Sequence, residues 1–433
     1  MSALAFRVDS PPSLFEADFA QNAASLPGAG LAWLDARRRA AMDAFTKTGI
    51  PTRRVEAWKY TDLANALESD LVAVEDFGGS IEVADLFGSK PIDEIVLAHG
   101  LVRHASDGLD SVDLGTLNDE TPVWVKEHLG RLAAGSDQPL GAASLALMRG
   151  GVAVRVEGEQ SLHLRFSNPA LERDSVSHAR VLIVVEEGAS LRLLESHSGD
   201  TRGQRLANIG IELVLKSGAK LEHVRLQAED ASALHVTSIG ASLARNAEYR
   251  ALYAAMGARL SRIDMNVKLA AEGAHATLHN IAVLKSGIAD ITTVMDHAAP
   301  HTTSRQLFKS VVGGRGRSVN QGRVSVRKGA LKSDSHQLFR ALLLSPRAEA
   351  DAKPELEIFA DDVICGHGTA IGALDADAMF YLRARGIPED EAKGLLIRAF
   401  LEDAMEGFAD EAVHGALAAR VDASLASLGQ GEP

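Results

Sequence analysis

Between residues 151 and 372, apolar residues alternate with others at a period of two. Ile209, Ile211, Leu213 and Leu215 form one such row. Val224 and Leu226 alternate with His223, Arg225 and Gln227. Ile263, Met265, Val267 and Leu269 alternate with Arg262, Asp264, Asn266 and Lys268. Successive side chains of a strand point to opposite faces, so the alternation predicts half-buried strands with the apolar members inward. The flanks follow a helical period instead. Leu31, Leu34, Met42 and Phe45 surround the basic cluster Arg37-Arg38-Arg39, and Gly49-Ile50-Pro51 supplies a stop, which predicts a helix over 31–47. Trp58 and Tyr60 follow closely and read as a packed anchor for that helix. Residues 64–150 mix short apolar runs with Gly and Asp, as short elements and loops do.

Further on, Ile387-Pro388-Glu389-Asp390-Glu391 has an early proline and first-turn acids, the signature of a helix start. Leu395, Leu396, Ala399, Phe400, Met405 and Phe408 continue its apolar face. A second helix is predicted from Ala412 to Leu428, with Gly429, Gly431 and Pro433 as a frayed tail. Two such helices either cap the strand zone or dock a partner. The chain thus divides into an N-terminal helical and mixed part (1–150), a strand-rich core (151–375) and a C-terminal helical part (376–433).

The turns within the core repeat. Glu187-Gly188-Ala189-Ser190-Leu191 matches Ser217-Gly218-Ala219-Lys220-Leu221, and Arg245-Asn246-Ala247-Glu248-Tyr249, Glu272-Gly273-Ala274-His275-Ala276 and Lys328-Gly329-Ala330-Leu331-Lys332 follow the same form. The alanines are separated by 30, 28, 27 and 56 residues, the last being two units of 28. Gly or Asn before alanine suits a corner that needs a positive φ. A period near 28 with strands on both sides of each corner predicts a mainly β fold, a parallel β-helix. A β-sandwich would favour Asn-Gly or Asp-Gly hairpin turns, which this zone lacks, and a propeller needs a longer period.

Net charge is −13, which argues against binding nucleic acid or an anionic membrane. Met1–Arg7 shows no basic stretch leading into an apolar run, so no signal peptide is expected. No apolar run is long enough to span a bilayer. The chain has one cysteine, so no intrachain disulfide is possible. A cytoplasmic location is expected.

That cysteine is the centre of the candidate chemistry. Cys365 lies two positions before His367, in Lys353-Pro354-Glu355-Leu356-Glu357-Ile358-Phe359-Ala360-Asp361-Asp362-Val363-Ile364-Cys365-Gly366-His367-Gly368. On a strand the thiol and imidazole share a face. Both are soft or borderline metal ligands, yet two ligands cannot complete a cluster or zinc site, so a second surface must supply the rest. The alternative is a buried apolar Cys365 with His367 bonding a turn. His275, His279, His297, His301 and the Asp334–His336 pair read as solvated or hydrogen-bonded surface groups. Gly313-Gly314-Arg315-Gly316-Arg317 lacks the Gly-Lys-Ser/Thr ending of a P-loop and reads as a basic corner. There is no Gly-x-Ser-x-Gly elbow. ATP-driven work would require a partner.

Several segments together resemble the SufB/SufD family of iron–sulfur cluster assembly proteins, and its SufD branch in particular. These are Glu56-Ala57-Trp58-Lys59-Tyr60-Thr61-Asp62-Leu63, Gly322-Arg323-Val324, the stretch from Lys353-Pro354 through Cys365-Gly366-His367-Gly368, and Gly372, Leu374, Phe380-Tyr381-Leu382 and Arg385-Gly386-Ile387. Thr369-Ala370 stands where Ala-Thr is common in the family. The resemblance implies a right-handed parallel β-helix between helical N- and C-terminal parts. It implies pairing with a SufB paralogue through the last coils and docking of the ATPase SufC on the C-terminal helices. It implies a non-catalytic scaffold with no stably bound cofactor. Iron or a nascent cluster is then handled transiently at the shared interface by His367, with Cys365 the weaker candidate. A single thiol suits a supporting subunit better than a sulfur relay. The competing readings are a SufB-like homodimer with Cys365 as sulfur acceptor, a β-helix enzyme acting on acidic polysaccharide, and a purely structural adaptor.

Overall fold

The computed structural model describes residues 13–68, 71–74, 83–88, 92–200, 203–408 and 410–429. Met1–Arg7, Gly431 and Pro433, which figured in the sequence reading, lie outside the described residues.

Two ten-stranded sheets face each other, and the chain passes from one to the other in every coil. Eight coils follow in order: Gly150–Val156 with Glu159–Ser167, Ser175–Val185 with Ser190–Ser198, Arg205–Leu215 with Lys220–Gln227, Leu234–Leu243 with Glu248–Ala255, Leu260–Leu269 with His275–Leu284, Ile288–His297 with Thr303–Val312, Arg317–Val326 with Asp334–Leu343, and Glu349–Ile358 with Ile364–Gly372. The first strand of each coil belongs to the first sheet and the second to the second sheet. Pairing between coils is parallel and in register; Lys220 sits beside Ser190 on one side and Glu248 on the other. The fold is a parallel β-helix.

The repeated corner forms as its residues dictate. Gly188, Gly218, Asn246, Gly273 and Gly329 all have positive φ, between 53° and 87°. The alanine after each is buried, and its N–H closes a turn onto the carbonyl three residues earlier, as from Ala219 to Lys216 (3.1 Å) and Ala247 to Ala244 (3.1 Å). The Gly313–Arg317 stretch is likewise a corner, closed from Gly316 N–H to Gly313 O at 3.0 Å.

Ile209, Ile211, Leu213, Leu215, Ile263, Met265, Val267 and Leu269 point into the lumen as expected. The row 223–227 is inverted. Val224 and Leu226 face outward, under the C-terminal helices, whereas His223, Arg225 and Gln227 are buried inside. The period of two is correct there, but both faces are covered, so polarity no longer marks the outside. Inside, Arg225 Nε donates to Glu195 Oε1 (2.8 Å), His223 Nε2 bonds Glu195 Oε2 (2.7 Å), and His235 lies between Arg225 (2.6 Å) and Glu229 (2.5 Å). Arg205 completes the set at 2.5 Å from Glu229. Two carboxylates meet two guanidiniums, so the cluster is neutral when its imidazoles are uncharged.

The N-terminal end is closed. Ser111–Asp113 adds antiparallel to the first coil in the first sheet, and Asp93–Ala98, with Leu101–Ala105, extends the second sheet. The predicted helix is Ala32–Thr46, and Gly49 ends it at φ 66°. Phe15, Phe45, Trp58 and the helix Pro139–Ala146 pack on the outer face of the first sheet. Two devices hold this layer. Arg180 and Glu212 form a fully buried ion pair (2.9 Å), and Glu212 accepts N–H bonds from Gly130, Arg131 and Leu132; removing one partner of such a pair costs about 3–5 kcal/mol. The Glu56–Thr61 segment straps four coils. Ala57 O accepts from Arg262 (2.7 Å) and Gln321 (3.0 Å), Thr61 bonds Asp290, Lys353 pairs with Glu56, and Arg262 stacks 3.8 Å from the Trp58 ring centroid. Trp58 thus anchors the helix, as expected, and the β-helix as well.

Three C-terminal helices are present: Ala376–Ala384, Glu389–Met405 and Glu411–Gly429. The last two correspond to the predicted pair; the first, capped by Asp375, was not foreseen. The last two pack Ile397, Leu401, Met405, Phe408, Val413 and Val421 against the outer face of the second sheet. They cover its side rather than its end. Among the described residues no helix is long and apolar enough to cross a membrane.

Burial dominates the titration of the interior histidines. It pushes His178 and His197 down to about 3, and His99, His163 and His297 down to about 4. The unfolded chain protonates them near 6.5. Between those values the unfolded state holds more protons, so stability falls as pH falls. Glu195 and Glu229, which burial would raise, are held well below the usual carboxylate range by Arg225 and by His235 with Arg205 respectively, and they lose stability in the same direction at lower pH. Asp264, raised by burial to about 6, works the other way as a single group. Going from pH 7 to pH 5 is expected to cost about 2 kcal/mol per such histidine. Urea unfolding followed by Trp fluorescence should show a much lower midpoint at pH 5; equal midpoints would mean the imidazoles are hydrated rather than buried.

Candidate functional site

The last coil differs from the seven before it. Its strands Glu349–Ile358 and Ile364–Gly372 pair with the preceding coil on one side only. Their residues are mostly exposed or half-buried, where earlier strands are buried. Ile358, Phe359, Ile364 and Ile371 are exposed, Phe359 and Ile364 to 64% and 65%. The end is still held to the coil below: Phe359 N–H bonds Val326 O (2.9 Å), Ile364 N–H bonds Ser333 O (2.9 Å), and Lys332 pairs with Asp362.

Register places the candidate pair on this coil. Cys365 stacks on Ser335 and His367 on Gln337. Ser335 and Gln337 are buried, and Cys365 packs against the luminal core. Cys365 and His367 therefore share the luminal face, as their spacing predicts, at the mouth of the open end. His367 is exposed, and its side chain makes no hydrogen bond or ion pair among the described residues. Cys365 is half-buried, and burial pushes its thiol up, with Asp334 adding to the rise against a backbone hydrogen bond at Ser335. At neutral pH it is a thiol, which is a poor nucleophile.

The other histidines do not join them. His336 pairs with Asp334 at 3.1 Å on the outward face. His275 bonds Thr277 (2.8 Å) and Thr303, and His279 bonds Ala404 O (2.8 Å). His297 corrects the surface reading: it is fully buried at the end of its strand, bonded to Thr302 (2.8 Å) and Ser304 (2.9 Å). Its ring is neutral and enclosed by hydroxyls, which makes burial tolerable. Among the described residues no group of three or more His, Cys, Asp or Glu side chains is arranged to hold a metal ion. Cys365 and His367 alone offer two ligands.

Beside the open end, the helix Ala376–Ala384 presents Phe380 (75% exposed) and Tyr381 (57%). Arg385 bonds the Tyr381 hydroxyl at 2.7 Å and stacks on its ring. A cavity of about 730 Å³ lies between this helix and the next, lined by Leu374, Met379, Phe380, Arg383, Glu389 and Lys393. Exposed apolar groups beside unpaired strand edges mark a surface built to be covered. The sequence reading placed a docking surface on the C-terminal helices but did not foresee the helix Ala376–Ala384 that carries Phe380 and Tyr381.

Comparison with known proteins agrees with this architecture. The SufBD core domain of SUF-system FeS cluster assembly matches residues 167–400, and the SufBD protein N-terminal region matches residues 13–87. Protein ABCI7, chloroplastic, of Arabidopsis thaliana is 30% identical, covering 86% of this chain and 82% of the relative. The iron–sulfur cluster assembly protein SufD of Escherichia coli is 28% identical, covering 88% and 90%. A SufBD family protein of Synechocystis is 26% identical, covering 86% of each. These matches define the class, a component of iron–sulfur cluster assembly. The chain belongs to the SufBD family.

The Cys365 environment has a direct chemical consequence. Alkylation by iodoacetamide at neutral pH is expected to be slower than for a free cysteine, with a rate that climbs with pH beyond the ordinary thiol range. Rapid labelling at pH 7, read by intact mass, would show an activated thiolate instead.

Proposed function

We propose that this chain is the SufD-type, non-catalytic scaffold subunit of a SufB–SufC–SufD type complex in the cytoplasm. A SufB paralogue pairs with the unpaired edges of the last coil. The ATPase SufC docks on the C-terminal helices at Phe380 and Tyr381. Iron is the cargo, and no cofactor is held stably. His367 binds iron transiently at the shared interface, where its borderline imidazole suits ferrous iron, and the partner supplies the remaining ligands. Cys365 has the lesser role, since its thiol stays protonated.

The observation that carries this reading is an exposed His367, its side chain unpartnered among the described residues, on the luminal face of a coil whose outer edges are unpaired. An isolated pair of ligands there is incomplete, and so is the sheet; a second subunit of similar fold completes both. Electrostatics are consistent with a protein partner rather than nucleic acid or membrane, given the charge of −13. ATP-driven movement of the docked ATPases would shift the two β-helices against each other and open the interface to iron.

The test is co-expression with a SufB paralogue and SufC, read by the mass of the purified complex and by its cluster content. His367→Ala should leave the assembly intact and reduce cluster formation by about tenfold or more, as loss of a metal ligand does. Phe359→Asp should instead prevent pairing while the isolated chain stays folded, because that side chain is solvent-exposed. Normal cluster yield from H367A would remove His367 from the mechanism; a self-dimer that ignores both partners would favour a SufB-like role.

A further inference from the structure

The lumen beneath His367 carries a second polar group, built from amides rather than charges. Gln306, Gln337 and His367 stack in register on three successive coils of the second sheet. Gln306 and Gln337 are 4% and 8% exposed, and Asn320 lies buried on the facing sheet. Gln306 Oε1 accepts from Thr293 (2.8 Å), and Asn320 Nδ2 donates to Ser318 (3.2 Å). Four atoms remain without a partner: Gln306 Nε2, Asn320 Oδ1, and both Nε2 and Oε1 of Gln337. A partnerless buried polar atom costs about 1–3 kcal/mol, and Gln337 lacks a partner whichever way its amide is turned.

These atoms converge on a cavity of about 20 Å³, lined also by Gly322, Phe339, Pro354 and Gly368. That is room for about one water, which needs two to four polar neighbours. The two unpartnered amide N–H₂ groups donate and the two unpartnered carbonyl oxygens accept, matching a water's capacity on both sides. The facing strand makes the space: a Cβ on Gly322 would lie 2.9 Å from Gln337 Nε2 and 3.1 Å from Oε1. Gly322 belongs to one of the segments singled out in the sequence, and its place opposite Gln337 gives that glycine a physical purpose.

We infer that Gln306, Asn320 and Gln337 bind a single internal water beneath the open end, and that Gln337 is the positioning residue that orients the His367 imidazole. The inference rests on the reading of His367 as the iron-binding group. A ring nitrogen that binds metal is fixed by the hydrogen bond its other nitrogen makes. Among the described residues His367 has no in-register neighbour on the outer side of its own coil; the one it has within the chain is Gln337, whose N–H₂ and carbonyl each keep hydrogen-bonding capacity beyond the water. The amide is uncharged, so it can bond one ring nitrogen and leave the lone pair of the other free for a metal ion.

The test compares Gln337→Met, Gln337→Glu and His367→Ala in the full chain, alone with ¹⁵N-labelled histidine and in the complex with its SufB and SufC partners. Gln337→Met replaces the amide with an apolar side chain of similar length, so the melting temperature is expected to hold or rise. Cluster formation should nevertheless fall about tenfold, and the His367 ¹⁵N signals should move from one tautomer to a mixture. Gln337→Glu keeps the acceptor but loses the donating N–H₂, so it should move the His367 ¹⁵N signals toward the opposite tautomer, a change that a packing role would not produce. Unchanged His367 signals in both variants overturn the inference, as does a wild-type yield from Gln337→Met when His367→Ala is impaired. If His367→Ala itself is silent, the iron-binding reading falls, and the ¹⁵N signals still decide whether Gln337 orients the ring.

Discussion

Everything in this molecule follows from the way parallel coils satisfy their backbone. Each coil's strands find their ladder partners in the coils above and below. The stack is therefore self-consistent in its middle and incomplete at its ends. The N-terminal end is completed from within the chain, by Ser111–Asp113 on one sheet and Asp93–Ala98 on the other. Among the described residues the C-terminal end is not, and the exposed Phe359 and Ile364 lie there with Cys365 and His367. The chemistry sits where the fold is unfinished.

The two sheets are covered by different means. Helices and the Glu56–Thr61 strap cover the first, while the last two C-terminal helices cover the second. With both outer faces hidden, the lumen need not be purely apolar. Glu195, Arg225, His223, His235, Glu229 and Arg205 occupy it as a neutral, mutually bonded group. Such a group is costly unless each member is satisfied, and its members come from successive coils, so it also fixes coil-to-coil register.

How much of this was legible in the sequence depended on how many faces of a segment are buried. The corners were readable because Gly or Asn followed by Ala is a local requirement, met at Gly188, Gly218, Asn246, Gly273 and Gly329. The row Ile209–Leu215 was readable because its partner residues needed no interpretation. The row His223–Gln227 was misread because alternation reports two faces but not which is inside. The helix Ala376–Ala384 was missed because Phe380 and Tyr381 point away from the chain's own core. At the site, the shared face of Cys365 and His367 followed from their spacing. Gln337 did not, because its neighbourhood with His367 exists only once the coils are in register.

The strap has a mechanical consequence. Glu56, Ala57, Trp58 and Thr61 tie down Arg262, Asp290, Gln321 and Lys353, residues of the last four coils on the first sheet alone. The C-terminal helices grip the second sheet alone. A force pulling on those helices enters one wall of the tube while the other is held by a guy-line, and the corner peptides and the luminal packing connect the two. Such a load shears the open mouth rather than lifting it, sliding Ile364–Gly372 past Glu349–Ile358. The tube is stiff along its length and compliant across its rim, and the rim is where His367 sits.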